Sequence, residues 1–560
     1  QEHRDTEALC ALLQDTATVV REASALAFAS VQDTAGIPCL LGVLNDPSAA
    51  VRATAAWALG FVADSAATQR MAQCAQHESD TTVVRALQKA MLLAKGRHGL
   101  FASASTLVEH LVRARGHERI QAADLLRRMP SEWLNGETTV LFRAVETTAD
   151  PEAKRMLLRA LGKVKGEQAE RTLWQATEAG QAWTVRVDAI HALESRSGGV
   201  PEESLLRWIN DAEPQVSFTA DAILAARRPL PLSYLRILAD RHADNLDIPA
   251  SHQPDEATLV GQLSMRLDDP YREAQRIRLL DAFGNGIPDA ELMTMLRGDH
   301  PAVVKQAALD ALINSFGVSD PLLFVSFTDT LVNTVLTSGD AGLIARLCEA
   351  LLGKEMPWYL DRVSPRALEL AKVGLHPVRD LEALQLLGTA LAAQHGLPAP
   401  AAINAFNHPI DPDRLRALPQ VQRYRIVTGQ GEIIIATDVD ACPGSSLAFD
   451  SLVTAGYYNG KAFHRMVPNF VVQGGCPRGD GYGGMPWTLR TEIGRKPFTA
   501  GSVGLASAGR DTESCQFFIT HSATPHLDGR YTRFGEVVQG MDVVWRLQVG
   551  DVMTTVERLV

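Results

Sequence analysis

The chain has 560 residues, 46% of them hydrophobic and 21% charged, with a net charge of −11 and an isoelectric point near 5.8. That length exceeds a single hydrophobic core and predicts three to four domain-sized units. The acidic balance argues against a broad cationic surface for nucleic acid, and no apolar run approaches the ~20 residues of a transmembrane segment.

The chain opens at Gln1 rather than methionine, which is read here as a processed, exported bacterial protein. The expected place is the cell envelope or periplasm, as a processed lipoprotein, with the cytoplasm as the alternative. From there a pattern recurs: aspartate, a few residues, Val-Arg, then alanine and leucine at helical spacing. It reads DTATVVREASALAF from Asp15, DPSAAVRATAAWALG from Asp46 and DTTVVRALQKAMLL from Asp80, with weaker copies from Asp150, Thr184, Asp268 and Asp299. Arg21, Arg52, Arg85 and Arg119 hold equivalent places at intervals of about 31–34 residues, within the range of helical repeats.

Each copy has a physical reading. Asp46-Pro47, Asp150-Pro151 and Asp269-Pro270 place a capping carboxylate before a proline suited to the first helical turn. Val51, Ala55, Ala58 and Leu59 fall on one helical face, and the small alanines permit close helix approach. One helix pair cannot bury such a face alone, so the pairs must stack into a solenoid. The pattern resembles HEAT repeats, which implies ladders of aspartate and arginine between successive units. The solenoid is expected over residues 1–395, with an insertion near 238–260.

Residues 396–420 are proline-rich and lack periodicity, and read as a linker. Two β-branched runs on either side of Gly429-Gln430-Gly431 then predict a hairpin. Short period-2 strands follow to Val560, with helices expected at Pro443–Gly456 and around Gln539–Val549. The fold switches from all-α to mostly β.

Three separated blocks carry the chemistry: FHR…F..QGG within Ala462–Gly484, QFFI at Gln516–Ile519, and LDG.Y..FG from Leu527. Together they closely resemble the cyclophilin family from about Val421 to the C-terminus. The resemblance implies a mostly-β closed barrel with two helices over 421–560, and peptidyl-prolyl cis/trans isomerase activity. That reaction crosses an amide rotation barrier of ~18–20 kcal/mol without breaking a bond, so it requires neither cofactor nor metal. It requires an apolar slot for the proline ring and a fixed donor favouring the twisted amide.

By the resemblance, Arg465 is the catalytic arginine, acting with Phe470 and Gln473. Val471, Phe518, Leu527 and Tyr531 complete the proline pocket. Ala506, Ser507, Ala508 and Gln516 form the rim along which the substrate backbone runs. His526 stands where many eukaryotic members carry a tryptophan, and is placed with the substrate-binding residues. Phe463 and Phe517 are read as core, and His464 as a structural, hydrogen-bonded histidine.

Arg478-Gly479-Asp480 and the glycines at 479, 481, 483 and 484 mimic an adhesion tripeptide and a phosphate loop. No P-loop lysine accompanies them, and they are read as incidental. Cys10, Cys39, Cys74, Cys348, Cys442, Cys476 and Cys515 form no C-x-x-C pair. They are expected as buried free thiols, with an isolated disulfide left open. The expected partners are proline-containing polypeptides at the barrel and another protein on the solenoid, not nucleic acid. The alternative is a proline-binding chaperone or assembly subunit in which catalysis is secondary.

Overall fold

The computed structural model describes residues 5–99, 103–227, 234, 269–282, 287–315, 325–400, 408 and 410–559. The insertion expected near 238–260 lies outside these residues.

Among the described residues helix pairs stack over 6–226 and again over 270–394, the second helix of one pair packing on the second helix of the next. Those second helices include Thr18–Val31, Ala49–Val62, Thr81–His98, His117–Arg128, Pro151–Leu161, Trp183–Glu194, Pro214–Ala226, Pro270–Ala282, Ala302–Ser315, Ala341–Leu352 and Leu381–Gln394. Val51, Ala55, Ala58 and Leu59 are fully buried between them. Asp150 caps Pro151–Leu161 by accepting from the Glu152 amide at 3.0 Å, and Asp269 accepts from the Tyr271 and Arg272 amides at 3.0 and 2.9 Å.

Asp46 departs from the expected cap. Its helix begins later, at Ala49 behind Ser48, and its carboxylate accepts from the Ser48 amide at 2.8 Å while also receiving Arg21 at 2.7 and 3.0 Å. Arg52 reaches Glu78 rather than an aspartate, at 2.8 and 3.0 Å, and Arg186 pairs with Asp211. The ladder then lapses at two expected rungs. Arg119 donates only to the Ala114 carbonyl, and Arg85 has no side-chain partner among the described residues. Cys10 and Cys39 form a disulfide, correcting the expectation of free thiols there, while Cys74, Cys348, Cys442, Cys476 and Cys515 are free.

Part of the expected linker, residues 401–407 and 409, also lies outside the described residues. The remainder contains a short helix, Pro412–Arg416, and the His408 ring stacks on Trp487 at 4.3 Å between centroids.

Eight strands follow: β1 Val421–Thr428, β2 Gly431–Asp438, β3 Lys461–Val467, β4 Val471–Gly474, β5 Ser502–Leu505, β6 Phe517–Thr520, β7 Arg533–Gln539 and β8 Val552–Leu559. They close antiparallel in the order β1-β2-β7-β5-β6-β4-β3-β8, which removes every sheet edge. Alternation fills the interior with Tyr424, Ile426, Ile433, Ile435, Phe463, Val472, Phe517 and Ile519. The helices Pro443–Thr454 and Met541–Arg546 add Phe449, Leu452, Val543 and Val544 to that core.

The barrel is seated along the second helices of the solenoid. Toward the N-terminus, Arg97 and Gln32 donate to the Gly529 carbonyl at 2.6 and 2.7 Å, and His117 meets Asp528 at 2.7 Å. Asp188 accepts from Asn469 at 3.1 Å, and Gln215 accepts from the Asn469 amide at 2.8 Å. Arg155, on Asp188 at 2.8 Å, also donates to the Ala523 carbonyl. Toward the C-terminus, Tyr271 donates to the Gly479 carbonyl at 3.2 Å, Arg478 to Asp340 at 2.5 Å and Tyr482 to Glu349 at 3.0 Å. The Arg478-Gly479-Asp480 loop, read from sequence as incidental, is therefore a docking loop.

Candidate active site: a prolyl-peptide groove

Strand alternation alone would put Phe463 and Arg465 on the same face of β3, inside the barrel. A register shift against β4 between these residues turns Arg465 outward while Phe463 stays in the core. Arg465 then pairs in register with Gln473 on β4, which pairs with Phe518 on β6, which pairs with Gly504 on β5. One cross-strand row thus carries the arginine, the amide and the floor of the pocket. Gly504 ends the row for a steric reason. A Cβ there would lie 2.4 Å from Phe518 Cζ and 2.9 Å from Phe498.

The pocket is an apolar cluster of Val471, Phe498, Phe518 and Leu527, with Phe470, Ala506 and Tyr531 packed against it. Phe518 stacks on Phe498 at 5.7 Å and meets Tyr531 edge-on at 5.9 Å. Phe498 escaped the sequence reading because it belongs to no motif block. Only the side chain that Gly504 must avoid could have pointed to it.

The polar side is an amide relay. Arg465 Nη1 donates to Gln473 Oε1 at 3.5 Å, and Gln473 Nε2 donates to Gln516 Oε1 at 2.9 Å. Gln516 Nε2 donates to the Gly481 and Gly483 carbonyls, both at 2.8 Å. The Arg465 guanidinium lies 6.0 Å from the centre of the Phe470 ring, over the mouth of the pocket. Burial lowers its pKa from the ordinary value, Tyr531 partly opposes this, and an arginine so placed stays cationic at neutral pH. Desolvation pushes the His464 imidazole down to about 4, with Arg465 adding to the shift, so it is neutral and supplies no acid.

Arg465, Phe470, Val471, Gln473, Ala506, Ser507, Ala508, Gln516, Phe518, Leu527 and Tyr531 all line one cavity of about 580 Å³. His526 does not. Its ring stacks on Phe470 at 5.3 Å and lines a separate small cavity with Gln121, Asp124 and Arg128 of the solenoid. The 3₁₀ turn Pro525–Leu527 sends Leu527 to the pocket and leaves His526 behind it, at the domain interface.

An amide passing through its twisted state loses resonance, and its nitrogen gains a lone pair. A preorganised guanidinium beside an apolar slot can stabilise that state more than the planar one and so lower the barrier.

A family model described as cyclophilin type peptidyl-prolyl cis-trans isomerase/CLD matches residues 423–559, and one described as HEAT repeats matches residues 6–91. Peptidyl-prolyl cis-trans isomerase B of Bacillus subtilis (strain 168) is 44% identical over 119 residues, which are 21% of this chain and 83% of that protein. The chain belongs to the cyclophilin-type peptidyl-prolyl cis-trans isomerases. Two further relatives named peptidyl-prolyl cis-trans isomerase agree. That of Synechococcus elongatus is 39% identical over 132 residues, 23% of this chain and 91% of its own length. That of Helicobacter pylori (strain ATCC 700392 / 26695) is 38% identical over 135 residues, 23% and 83% respectively. All three matches fall short of a quarter of the chain, so the solenoid is an addition to the cyclophilin barrel.

Proposed function

We propose that this cyclophilin isomerises Xaa-Pro bonds in extended polypeptide segments of exported proteins, from a barrel held on its own HEAT-like solenoid. The single observation behind the catalytic assignment is the Arg465–Gln473–Phe518 row, with the guanidinium over an intact apolar pocket. An exported location draws support from the Cys10–Cys39 disulfide, since such bonds persist mainly in oxidising compartments. A protein partner on the solenoid would engage its outer helices, because the inner ones carry the barrel.

The test is Arg465→Ala in the full chain, assayed by NMR exchange on a short Xaa-Pro peptide. Losing one preorganised donor is expected to cost about 2.7–4 kcal/mol, or roughly 100- to 1000-fold in kcat/KM, with the fold intact. A folded variant of undiminished efficiency would sink the assignment. Export is checked by thiol alkylation in cells, where a reduced Cys10–Cys39 pair counts against it.

A further inference from the structure

The groove is not walled by the barrel alone. Arg278, Gln306, Arg379 and Glu382 of the solenoid line the same cavity as the catalytic arginine. A substrate segment leaving the proline pocket therefore meets side chains that small cyclophilins of barrel length do not have.

The charges on this wall are unequally matched. Arg379 is held by its neighbour Asp380 through two contacts of 3.0 and 2.9 Å. Arg278 faces Asp310 at 3.9 Å, and Asp310 also takes Arg346 at 2.7 Å. Glu382 stands apart. Among the described residues it has no hydrogen-bond or ion-pair partner, and its charged neighbours Glu349 and Asp480 share its sign. Neither neighbour is idle. Glu349 accepts from Tyr482 at 3.0 Å, and Asp480 accepts from Arg478 at 3.0 and 2.9 Å. The fold thus sets one carboxyl in the wall of the substrate groove and withholds its counter-charge.

Taking this groove as the isomerase site, the geometry points to Glu382 as a specificity-determining residue that favours substrates with a lysine or arginine flanking the isomerised proline. A substrate ammonium or guanidinium supplies the missing cation and forms a charge-assisted hydrogen bond in a half-buried setting. An acidic side chain beside Glu382 is repelled by it, and the nearby Arg379 is already paired bidentately with Asp380.

The preference carries a pH signature. Burial first, then Glu349 and Asp480, push the Glu382 carboxyl up to about 7. The other ionisable groups of this cavity and its rim are Tyr482, Arg478, Arg379 with Asp380, Arg278, Arg346, His464, Arg465 and Tyr531. The ionised form binds the cation, so the preference is present above about pH 7 and fades as pH falls through it.

The experiment uses the full chain and short peptides that differ only by lysine or norleucine at each of the two positions on either side of proline. At about pH 8, one flanking position is expected to show a lysine-to-norleucine ratio in kcat/KM of roughly ten, carried by KM. The ratio should fall towards one at about pH 6, and should be near one at both pH values in Glu382→Gln. A wild-type ratio near one at every position at pH 8, or a preference that survives Glu382→Gln, overturns the inference. A failure of the isomerase reading looks different: Arg465→Ala would then leave kcat/KM unchanged on every peptide.

Discussion

The solenoid meets the barrel in two ways along its length. Its N-terminal helices grip: Arg97, His117, Arg155, Asp188 and Gln215 hold Gly529, Asp528, Ala523 and Asn469 by short hydrogen bonds, several of them buried. Among the described residues its C-terminal helices hydrogen-bond the 478–484 loop, Tyr271 also lies against Gly550, and Arg278, Gln306, Arg379 and Glu382 stand across an open groove. The gripped residues are chain neighbours of the pocket, Asn469 before Phe470 and Asp528 after Leu527. One end of the solenoid therefore holds the residues beside the apolar pocket, and the other borders the candidate groove. The difference teaches that a repeat scaffold can be part of an active site rather than a handle attached to it.

The sharpest way to break this contrast is at the centre of the grip. Asp188 accepts from Arg155 and Asn469, and all three are buried. Asp188→Ala removes one of the two carboxylates on the buried Arg155, leaving Glu152 at 3.0 Å, and is expected to destabilise the chain by about 3 kcal/mol, the lower end for a broken buried pair. Urea unfolding of the full chain measures it, with kcat/KM expected to fall as Phe470 loosens. A loss under about 1 kcal/mol, the usual worth of an exposed pair, would mean that the two domains are not locked here.

A milder break lies at Gly529. Its φ of +67° is a left-handed conformation, and an added Cβ would fall 2.0 Å from the Phe61 ring. Gly529→Ala is expected to cost about 1–3 kcal/mol in stability. The damage should fall on the grip alone. A changed preference between lysine and norleucine peptides in this variant would show that the two ends of the solenoid do not act separately.

Legibility divided along physical lines. The row from Arg465 through Gln473 to Phe518 was readable because its members sit in motif blocks whose spacing the barrel dictates. Helix existence was readable because each unit repeats its apolar period. Asp46 lies two residues before the cap position, where its carboxylate accepts the Ser48 amide and is shared with an arginine 25 residues earlier, a partner that no local pattern records. Glu382, Arg278 and the 478–484 docking contacts were beyond reach, since nothing local records which surface a distant domain will cover. His526 failed for a related reason. Its motif position says groove, but a solenoid helix packs where solvent or substrate would otherwise lie.

That histidine provides the smallest and most selective test of the grip. Desolvation, opposed by Asp124 and reinforced by Arg127, Arg155 and Arg128, holds its imidazole down to about 4. In the unfolded chain a histidine titrates near 6.5, so the unfolded state binds the proton first as pH falls. The stabilisation from keeping His526 neutral is therefore complete above about pH 6.5 and is lost progressively down to about pH 4. In that window one such group contributes at most about 1.4 kcal/mol of stability per pH unit. His526→Phe keeps the stack on Phe470, removes the titration and should flatten the slope by about that amount, as read from urea midpoints at several pH values. If the slope between pH 6.5 and 4 is unchanged, the solenoid does not bury this ring in solution, and the grip ends short of the pocket.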